Sequence, residues 1–156
     1  MNKAGLFILI LFTVIFCGCK TMVDVEYGYT ANVIIENKSS HEIVVDNSIV
    51  KLRHWQEPIT TVIASGKNYS FSRGGDHPVE DPSWYIGDKC LITFDAQVEI
   101  VHTRRTLEED VVVEHSICEQ EPFELIMHEK FSKTFTYTFT DADYDRAVEW
   151  NAAHGE

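Results

Sequence analysis

The sequence predicts an all-β protein, an immunoglobulin-like antiparallel β-sandwich of about seven to nine strands that ends in a short C-terminal helix. Short runs of β-branched and aromatic residues recur along the chain, and clusters of Asn, Asp, Gly and Ser separate them. A helical pattern with a capping residue occurs close to the C-terminus, after these runs. Strands that follow one another without intervening helices are typical of sandwiches rather than of α/β folds.

The first two predicted strands are residues 32–36 and 41–46, and the turn residues between them favour a hairpin. Thr140 or Asp141 can cap the C-terminal helix, whose acidic first turn suits the helix dipole. The other candidate strands are 59–64, 68–72, 90–95, 98–104, 110–117, 124–131 and 133–140. We expect them to form a single domain over residues 31–156, because chains of this length are typically undivided.

The N-terminus has the features of an export signal. Lys3 precedes an apolar run at residues 6–16, which is roughly half of the ~20 apolar residues that a membrane-spanning helix needs. Residues 16–19 (FCGC) resemble the lipobox of bacterial lipoproteins, in which a small residue precedes the cysteine that receives diacylglycerol. The resemblance implies that residues 1–18 are removed and that Cys19 carries the lipid. The alternative is an ordinary secretory signal that is cut nearby.

Lipid on Cys19 would leave residues 19–30 as a tether between the membrane and the domain. Lys20 follows the cysteine where an inner-membrane retention signal would have aspartate, so the resemblance favours the outer membrane of a Gram-negative bacterium. The lipobox, NVIIENKSSHEIVV, CLITFD and YTFTDADYDRA together resemble small uncharacterised lipoproteins of the Bacteroidales. This likeness implies an envelope location and a β-sandwich, and it supplies no activity.

The charge of the chain excludes one class of partner. Removal of residues 1–18 takes away one of the 13 basic residues, Lys3, and leaves 12 against 25 acidic ones, a formal charge of −13 with histidine neutral. Nucleic-acid binding depends on Lys and Arg that displace counterions from phosphates. We therefore expect the membrane, another envelope protein or a glycan as partner, and no nucleic acid.

Two cysteines, Cys90 and Cys118, remain once Cys19 carries lipid. An even pair outside the cytoplasm favours a disulfide. Strand pairing complicates this prediction, because a tight hairpin after residue 95 would place the two on strands that flank a shared neighbour, ~10 Å apart. Disulfide Cα atoms lie within ~7 Å. The bond then requires that Cys118 curl across at its strand end or that the two lie on facing sheets, and free thiols are the alternative.

A long loop over residues 73–88 is the candidate ligand site. Exposed aromatic side chains stack on sugar rings, and acidic and imidazole groups beside them supply hydrogen bonds. The candidate contact residues are Trp55, Asp76, His77, Trp84 and Tyr85. The alternative is that Trp84 and Tyr85 fold back and cover one end of the sandwich.

Three histidines at equal spacing, His102, His115 and His128, are the candidate metal ligands. Symmetric hairpins between their strands would place them opposite one another, ~5 Å apart at Cβ and able to bind a transition metal. A register slip of one residue sends a histidine to the other face, so three exposed histidines are the favoured reading. A D-x-D-x-D pattern from Asp141 lacks the glycine and glutamate of a calcium loop and is read as the acidic start of the helix.

No catalytic signature is present in the sequence. It has no G-x-S-x-G elbow, and strand alternation would put Cys118 and His115 on opposite faces. We therefore expect no cofactor and no enzyme, but an envelope lipoprotein that acts as a non-enzymatic interaction module or accessory subunit. The alternative is a surface glycan-binding protein that uses the loop aromatics.

Overall fold

The computed structural model describes residues 28–49, 52, 56–105 and 113–154. Within these ranges eight strands form two four-stranded sheets, followed by one C-terminal helix. The strands are β1 Tyr29–Asn37, β2 Ile43–Asp46, β3 Thr60–Ile63, β4 Asn68–Gly75, β5 Lys89–Phe94, β6 Val98–Thr103, β7 Glu124–His128 and β8 Ser132–Phe139, and the helix is α1 Asp141–His154. The predicted β-sandwich with a short C-terminal helix is confirmed.

The two sheets have the strand orders β4-β1-β8-β7 and β3-β2-β5-β6. All neighbouring strands run antiparallel except β1 and β8, which are parallel. These two strands are joined by most of the domain rather than by a hairpin, so no short turn forces them to run in opposite directions. The sandwich is therefore antiparallel in all but this one pair.

The core lies between the sheets and follows strand alternation. Val33 and Ile35 of β1 are fully buried, while the residues between and around them are partly exposed. Phe94 of β5 meets Phe139 of β8 edge to face, with ring centroids 6.3 Å apart. Each such side chain stabilises the fold by about 1.5–3 kcal/mol through burial, so the inward residues of both sheets hold the layers together.

The predicted hairpin between the first two strands is wrong. β1 pairs with β4 and β8, whereas β2 pairs with β3 and β5 in the other sheet. The buried Asn37 explains the crossing, because its amide donates to the carbonyls of His41 at 2.7 Å and Ile63 at 2.8 Å. The turn residues between the strands thus carry the chain from one sheet to the other.

The tight connection between β5 and β6 is present. Asp95 and Ala96 have φ of 49° and 56°, and Gln97 N–H donates to Phe94 C=O at 2.9 Å, so residues 95–97 form a tight three-residue connection between the paired Phe94 and Val98. The Asp95 carboxylate also accepts a hydrogen bond from Glu42 N–H at 2.9 Å, and its second oxygen lies 2.6 Å from His41 Nδ1. This hairpin fixes the register of β6, whose last residues lead into the candidate site.

The predicted strand at 110–117 is wrong in its described part, because residues 113–117 lie in turns and irregular backbone. Ile117 N–H donates to His102 Nδ1 at 3.0 Å, and Ser116 Oγ donates to Thr103 C=O at 3.0 Å. The Ile117 N–H group is therefore paired with a side chain of β6 rather than with the backbone of a neighbouring strand. Val113 and Ile117 still enter the core. Residues 110–112 lie outside the described ranges.

Helix α1 begins after Thr140, as predicted. Asp143 accepts Thr140 N–H at 2.7 Å and Thr140 Oγ at 3.0 Å, and Asp143 N–H donates to Thr140 C=O at 3.0 Å, an arrangement of the capping-box type. No helix of the described residues is long and apolar enough to cross a membrane. The predictions on residues 1–18, on Cys19 and on the tether up to residue 27 lie outside the described ranges.

Candidate ligand-binding site

The site is built on the connection between β4 and β5. β4 continues to Gly75, three residues beyond its predicted end, and a 3-10 helix spans Pro82–Tyr85 within the predicted loop. Asp81 caps this helix by accepting Ser83 N–H at 2.9 Å and Ser83 Oγ at 2.5 Å, and Pro82 suits the first helical position. The turn buries Ile86 and exposes Trp84.

Arg104, directly after β6, fastens this loop to the sheet. Its Nη1 lies 3.3 Å from an Asp81 carboxylate oxygen and its Nε lies 3.2 Å from one of Asp88. The backbone repeats the link, since Arg104 N–H donates to Asp88 C=O at 2.9 Å. The Arg104 side chain is only 9% exposed. Both ends of the 3-10 segment are therefore held by one buried cation.

Trp84 rests on the same guanidinium. The Arg104 guanidinium carbon lies 4.9 Å from the Trp84 ring centroid, within the range of a cation–π contact. Gln56 Nε2 donates to Trp84 C=O at 2.8 Å and fixes the backbone. With 44% of Trp84 exposed, the indole is supported from the protein side and accessible from the solvent side.

An open groove of about 650 Å³ lies beside this indole. Its polar groups are on Glu80, Asp81 and His77, and most of its remaining surface is apolar. It is lined by His77, Pro78, Val79, Glu80, Asp81, Trp84 and Tyr85. Burial, partly opposed by the charge of Arg73, raises the pKa of Tyr85, so the phenol stays neutral and available as a hydrogen-bond donor.

A second cavity of about 330 Å³ adjoins the groove and shares residues 78–80 with it. Tyr29 and Phe131 meet there, with ring centroids 5.7 Å apart. Lys133 binds Glu80 at 2.7 Å across this cavity, and hydrogen bonding to Lys133 lowers the pKa of Glu80. The groove and the cavity thus adjoin through residues 78–80, and each has aromatic side chains in its lining.

The structure brings together three of the five predicted contact residues, His77, Trp84 and Tyr85, in the groove. Asp76 is exposed but does not line it, and Trp55 lies outside the described ranges. The sequence prediction missed Arg104 as the support of Trp84. The sequence places Arg104 at the end of the predicted strand 98–104, and no pattern links it to a loop some 20 residues earlier.

The structure has neither the row of histidines nor the favoured alternative of three exposed ones, because, of the three, only His128 is exposed. His102 is buried in one sheet and His128 is exposed in the other, while His115 lies in a turn with φ of 59°. Burial lowers the pKa of His102 to about 3, so this ring is neutral and accepts Ile117 N–H. Among the described residues no three His, Cys, Asp or Glu side chains are arranged to hold a metal ion.

His115 instead pairs with the buried Asp143, at 3.0 Å from Nδ1 to Oδ1. Asp143 also binds Arg146, and Tyr137 Oη donates to His115 C=O at 2.5 Å. Burial would raise the pKa of Asp143, but hydrogen bonds from His115 and Thr140 and the charge of Arg146 lower it overall. This cluster fastens α1 to the turn after β6. The neighbouring Ser116 donates to Thr103 C=O rather than to the imidazole.

Cys90 and Cys118, the predicted disulfide pair, are two buried free thiols in the structure. Cys90 is the cross-strand partner of His102, and Cys118 Sγ lies 3.5 Å from His102 C=O. Both thiols therefore lie near His102 of β6, Cys90 from the neighbouring strand β5 and Cys118 from the turn that follows. Burial raises the pKa of Cys90 well above its usual value and that of Cys118 to about 12.

No protein-family model, no curated protein and no solved structure matches this chain.

Proposed function

We propose that the protein is a non-enzymatic binding module of the cell envelope, held to the membrane by a lipid on Cys19. Its ligand surface is the groove beside Trp84. The observation that carries this proposal is the support under the indole, where Arg104, itself paired with Asp81 and Asp88, fixes the ring before any ligand arrives. A ligand that stacks on a ring already fixed does not lose free energy to ordering it.

A glycan is the ligand that this surface fits best. A sugar ring offers an apolar face for stacking and a rim of hydroxyls for hydrogen bonds, and the groove offers an exposed indole beside His77 and Tyr85. The groove is open rather than enclosed, so a chain of sugars can pass through it. The adjoining cavity with Tyr29 and Phe131 gives such a chain a second aromatic contact.

The acidic side chains of the groove support binding rather than turnover. Glycoside hydrolysis uses two carboxyl groups, one of which is kept protonated by a raised pKa. Here Glu80 pairs with Lys133, which lowers its pKa. Asp81 accepts hydrogen bonds from Ser83 and pairs with Arg104. Both carboxylates are engaged in holding the loop, which does not favour the pair of free carboxyl groups that glycoside hydrolysis uses.

The test is a glycan array probed with the soluble chain from Thr21 onward. We expect saturable binding that Trp84→Ala abolishes. Val148→Ala on α1 is the matched control, because Val148 is exposed to a similar extent, 41% against 44% for Trp84. The melting temperature of both variants establishes that they are folded.

Three results would contradict the proposal. Binding that survives Trp84→Ala would move the site away from the groove. Capture of one protein partner with no glycan signal would make the module an accessory subunit. Release of new reducing ends from a bound glycan would make it an enzyme.

A further inference from the structure

Strand β7 presents three consecutive apolar side chains to the outside of the domain. Leu125, Ile126 and Met127 are 46%, 51% and 50% exposed, and we call these three residues the β7 strip. The other exposed large apolar side chains among the described residues stand singly along the chain, as is ordinary for a protein surface. A contiguous apolar patch indicates instead a surface that contacts something other than water.

The β7 strip is apolar on both sides of a sheet edge. Among the described residues β7 pairs with β8 alone. Leu125 stands opposite Phe135 and Met127 stands opposite Thr134, with a bulge between the two pairs. Because adjacent residues of β8 point to opposite faces of the sheet, Leu125 and Met127 do so as well. The apolar surface is therefore the rim of the sheet rather than one of its faces.

The chain enters the domain close to this rim. Tyr29, the first residue of β1, contacts Phe131 in the turn between β7 and β8, with ring centroids 5.7 Å apart, and Thr30 N–H donates to Phe131 C=O at 2.8 Å. Only β8 separates β1 from β7, which is about 10 Å across the sheet. Met127 is level with the fourth residue of β1 through their shared partner Thr134, so the strip begins about 14 Å from Tyr29.

We propose that the β7 strip docks on the surface of the bilayer that holds the chain, an inference that rests on the lipid anchor of the proposed function. Ten residues separate Cys19 from Tyr29, and such a segment spans at most about 35 Å. A lipid on Cys19 holds the Tyr29 end of the domain within that distance of the membrane, and the strip lies beside this end. The unpaired backbone groups along the outer edge of β7 need water, so the strip enters the headgroup region and not the hydrocarbon core.

The charges around the strip allow this contact. The chain as a whole is strongly acidic, so anionic lipids repel most of its surface. Glu124 and Glu129 stand at the ends of the strip, Lys130 and Lys133 follow them along the chain, and Lys133 pairs with Glu80 at 2.7 Å. These charges nearly cancel, and approach through the β7 edge therefore meets little repulsion.

Tryptophan fluorescence of the anchored chain tests the contact. The chain from Cys19 onward is coupled through Cys19 to a maleimide-bearing phospholipid, because Cys90 and Cys118 are buried. The vesicles contain phosphatidylethanolamine and phosphatidylglycerol. We expect the emission that Ile126→Trp adds to the unsubstituted spectrum to shift to shorter wavelength. We also expect it to be quenched by lipids that carry bromine near the headgroup end of their acyl chains.

Val62→Trp is the matched control. Val62 is 60% exposed on β3, and β3 contacts β4, the edge of the first sheet opposite β7. The emission that this variant adds is expected neither to shift nor to be quenched. Leu125→Asp in the Ile126→Trp chain is expected to remove the shift and the quenching together, because a carboxylate opposes transfer out of water.

Two results would overturn the docking alone. One is equal quenching of Ile126→Trp and Val62→Trp. The other is a shift of Ile126→Trp without quenching by brominated lipid, which would indicate that protein, such as a second copy, covers the strip. Absence of lipid from Cys19 in the chain extracted from cells, read from the mass of its N-terminal peptide, would overturn this inference together with the anchor of the proposed function.

Discussion

Replacement of Arg104 by methionine is expected to destabilise the domain and to release Trp84 together. The substitution keeps most of the side-chain volume but removes the cation that pairs with Asp81 and Asp88 at 3.3 and 3.2 Å. Loss of one partner of a buried ion pair costs about 3–5 kcal/mol. The Asp81 and Asp88 side chains are 17% and 29% exposed, so water can reach them in part, and we expect the lower end of that range.

Loss of the cation–π contact with Trp84 adds about 1 kcal/mol, which brings the expected decrease in the free energy of unfolding to roughly 3–4 kcal/mol. With a denaturant slope of about 2 kcal/mol per molar, the urea midpoint would fall by about 1.5–2 M. Arg105→Met is the matched control, because Arg105 is exposed and its loss is expected to change stability by less than about 0.5 kcal/mol. A decrease below about 1 kcal/mol for Arg104→Met would refute the assigned role.

Three further predictions concern groups on β6 and on the segments that contact it. Burial lowers the pKa of His102 to about 3, so below pH ~6.5 the imidazole takes up a proton in the unfolded chain but not in the folded one. Between pH 7 and 5 the free energy of unfolding of the unsubstituted protein is therefore expected to fall by about 2 kcal/mol more than that of His102→Asn. Parallel pH–stability curves for the two proteins would contradict this. We expect Cys90 and Cys118 to resist alkylation until urea unfolds the protein, because both thiols are buried and have raised pKa values. Labelling in native buffer at the rate of an exposed thiol would mean that they are accessible. Asp143→Ala is expected to lower the free energy of unfolding by about 3 kcal/mol and to weaken the helical circular dichroism signal. The reason is that His115, Thr140 and Arg146 lose one shared acceptor. An unchanged urea midpoint would show that α1 is held by packing alone.

The sequence predicted the fold class because hydrophobic alternation depends only on neighbouring residues. Val33 and Ile35 point inward wherever β1 pairs, so the strand and its buried face could be read from five residues. The pairing partners could not be read in the same way. Residues 37–40 have turn chemistry that suits either a hairpin or a crossing between sheets, and the choice depends on Asn37 reaching the carbonyl of Ile63, 26 residues away.

The run of β-branched residues at 111–117 shows a second limit of pattern reading. Its described part fills the core with Val113 and Ile117 from turns, because burial requires an apolar side chain in the right place and not a particular backbone. His115 adopts a positive φ of 59° there, which is uncommon outside glycine although histidine adopts it more readily than most residues, and contacts around it favour this conformation. Those contacts come from Asp143 and Tyr137, both distant in sequence.

The candidate site was predictable in its exposed part and not in its support. His77, Trp84 and Tyr85 stand in one loop, and an aromatic pair among turn residues indicates a recognition surface. Arg104 lies directly after β6 and supports the Trp84 ring by a contact between residues that are distant in the sequence. The sequence alone does not distinguish a buried arginine that supports a ring from an arginine exposed at the surface.

The affinity of the groove for an envelope polysaccharide tests the central claim most directly. Calorimetric titration of the soluble chain would compare the unsubstituted protein with Trp84→Phe, Trp84→Ala and Val148→Ala. We expect Trp84→Ala to weaken binding by about 2 kcal/mol, roughly 30-fold, Trp84→Phe to keep most of the affinity because it keeps a ring on Arg104, and Val148→Ala to bind as the unsubstituted protein does. Equal affinity in all four proteins would contradict the assignment of the Trp84 groove as the ligand site.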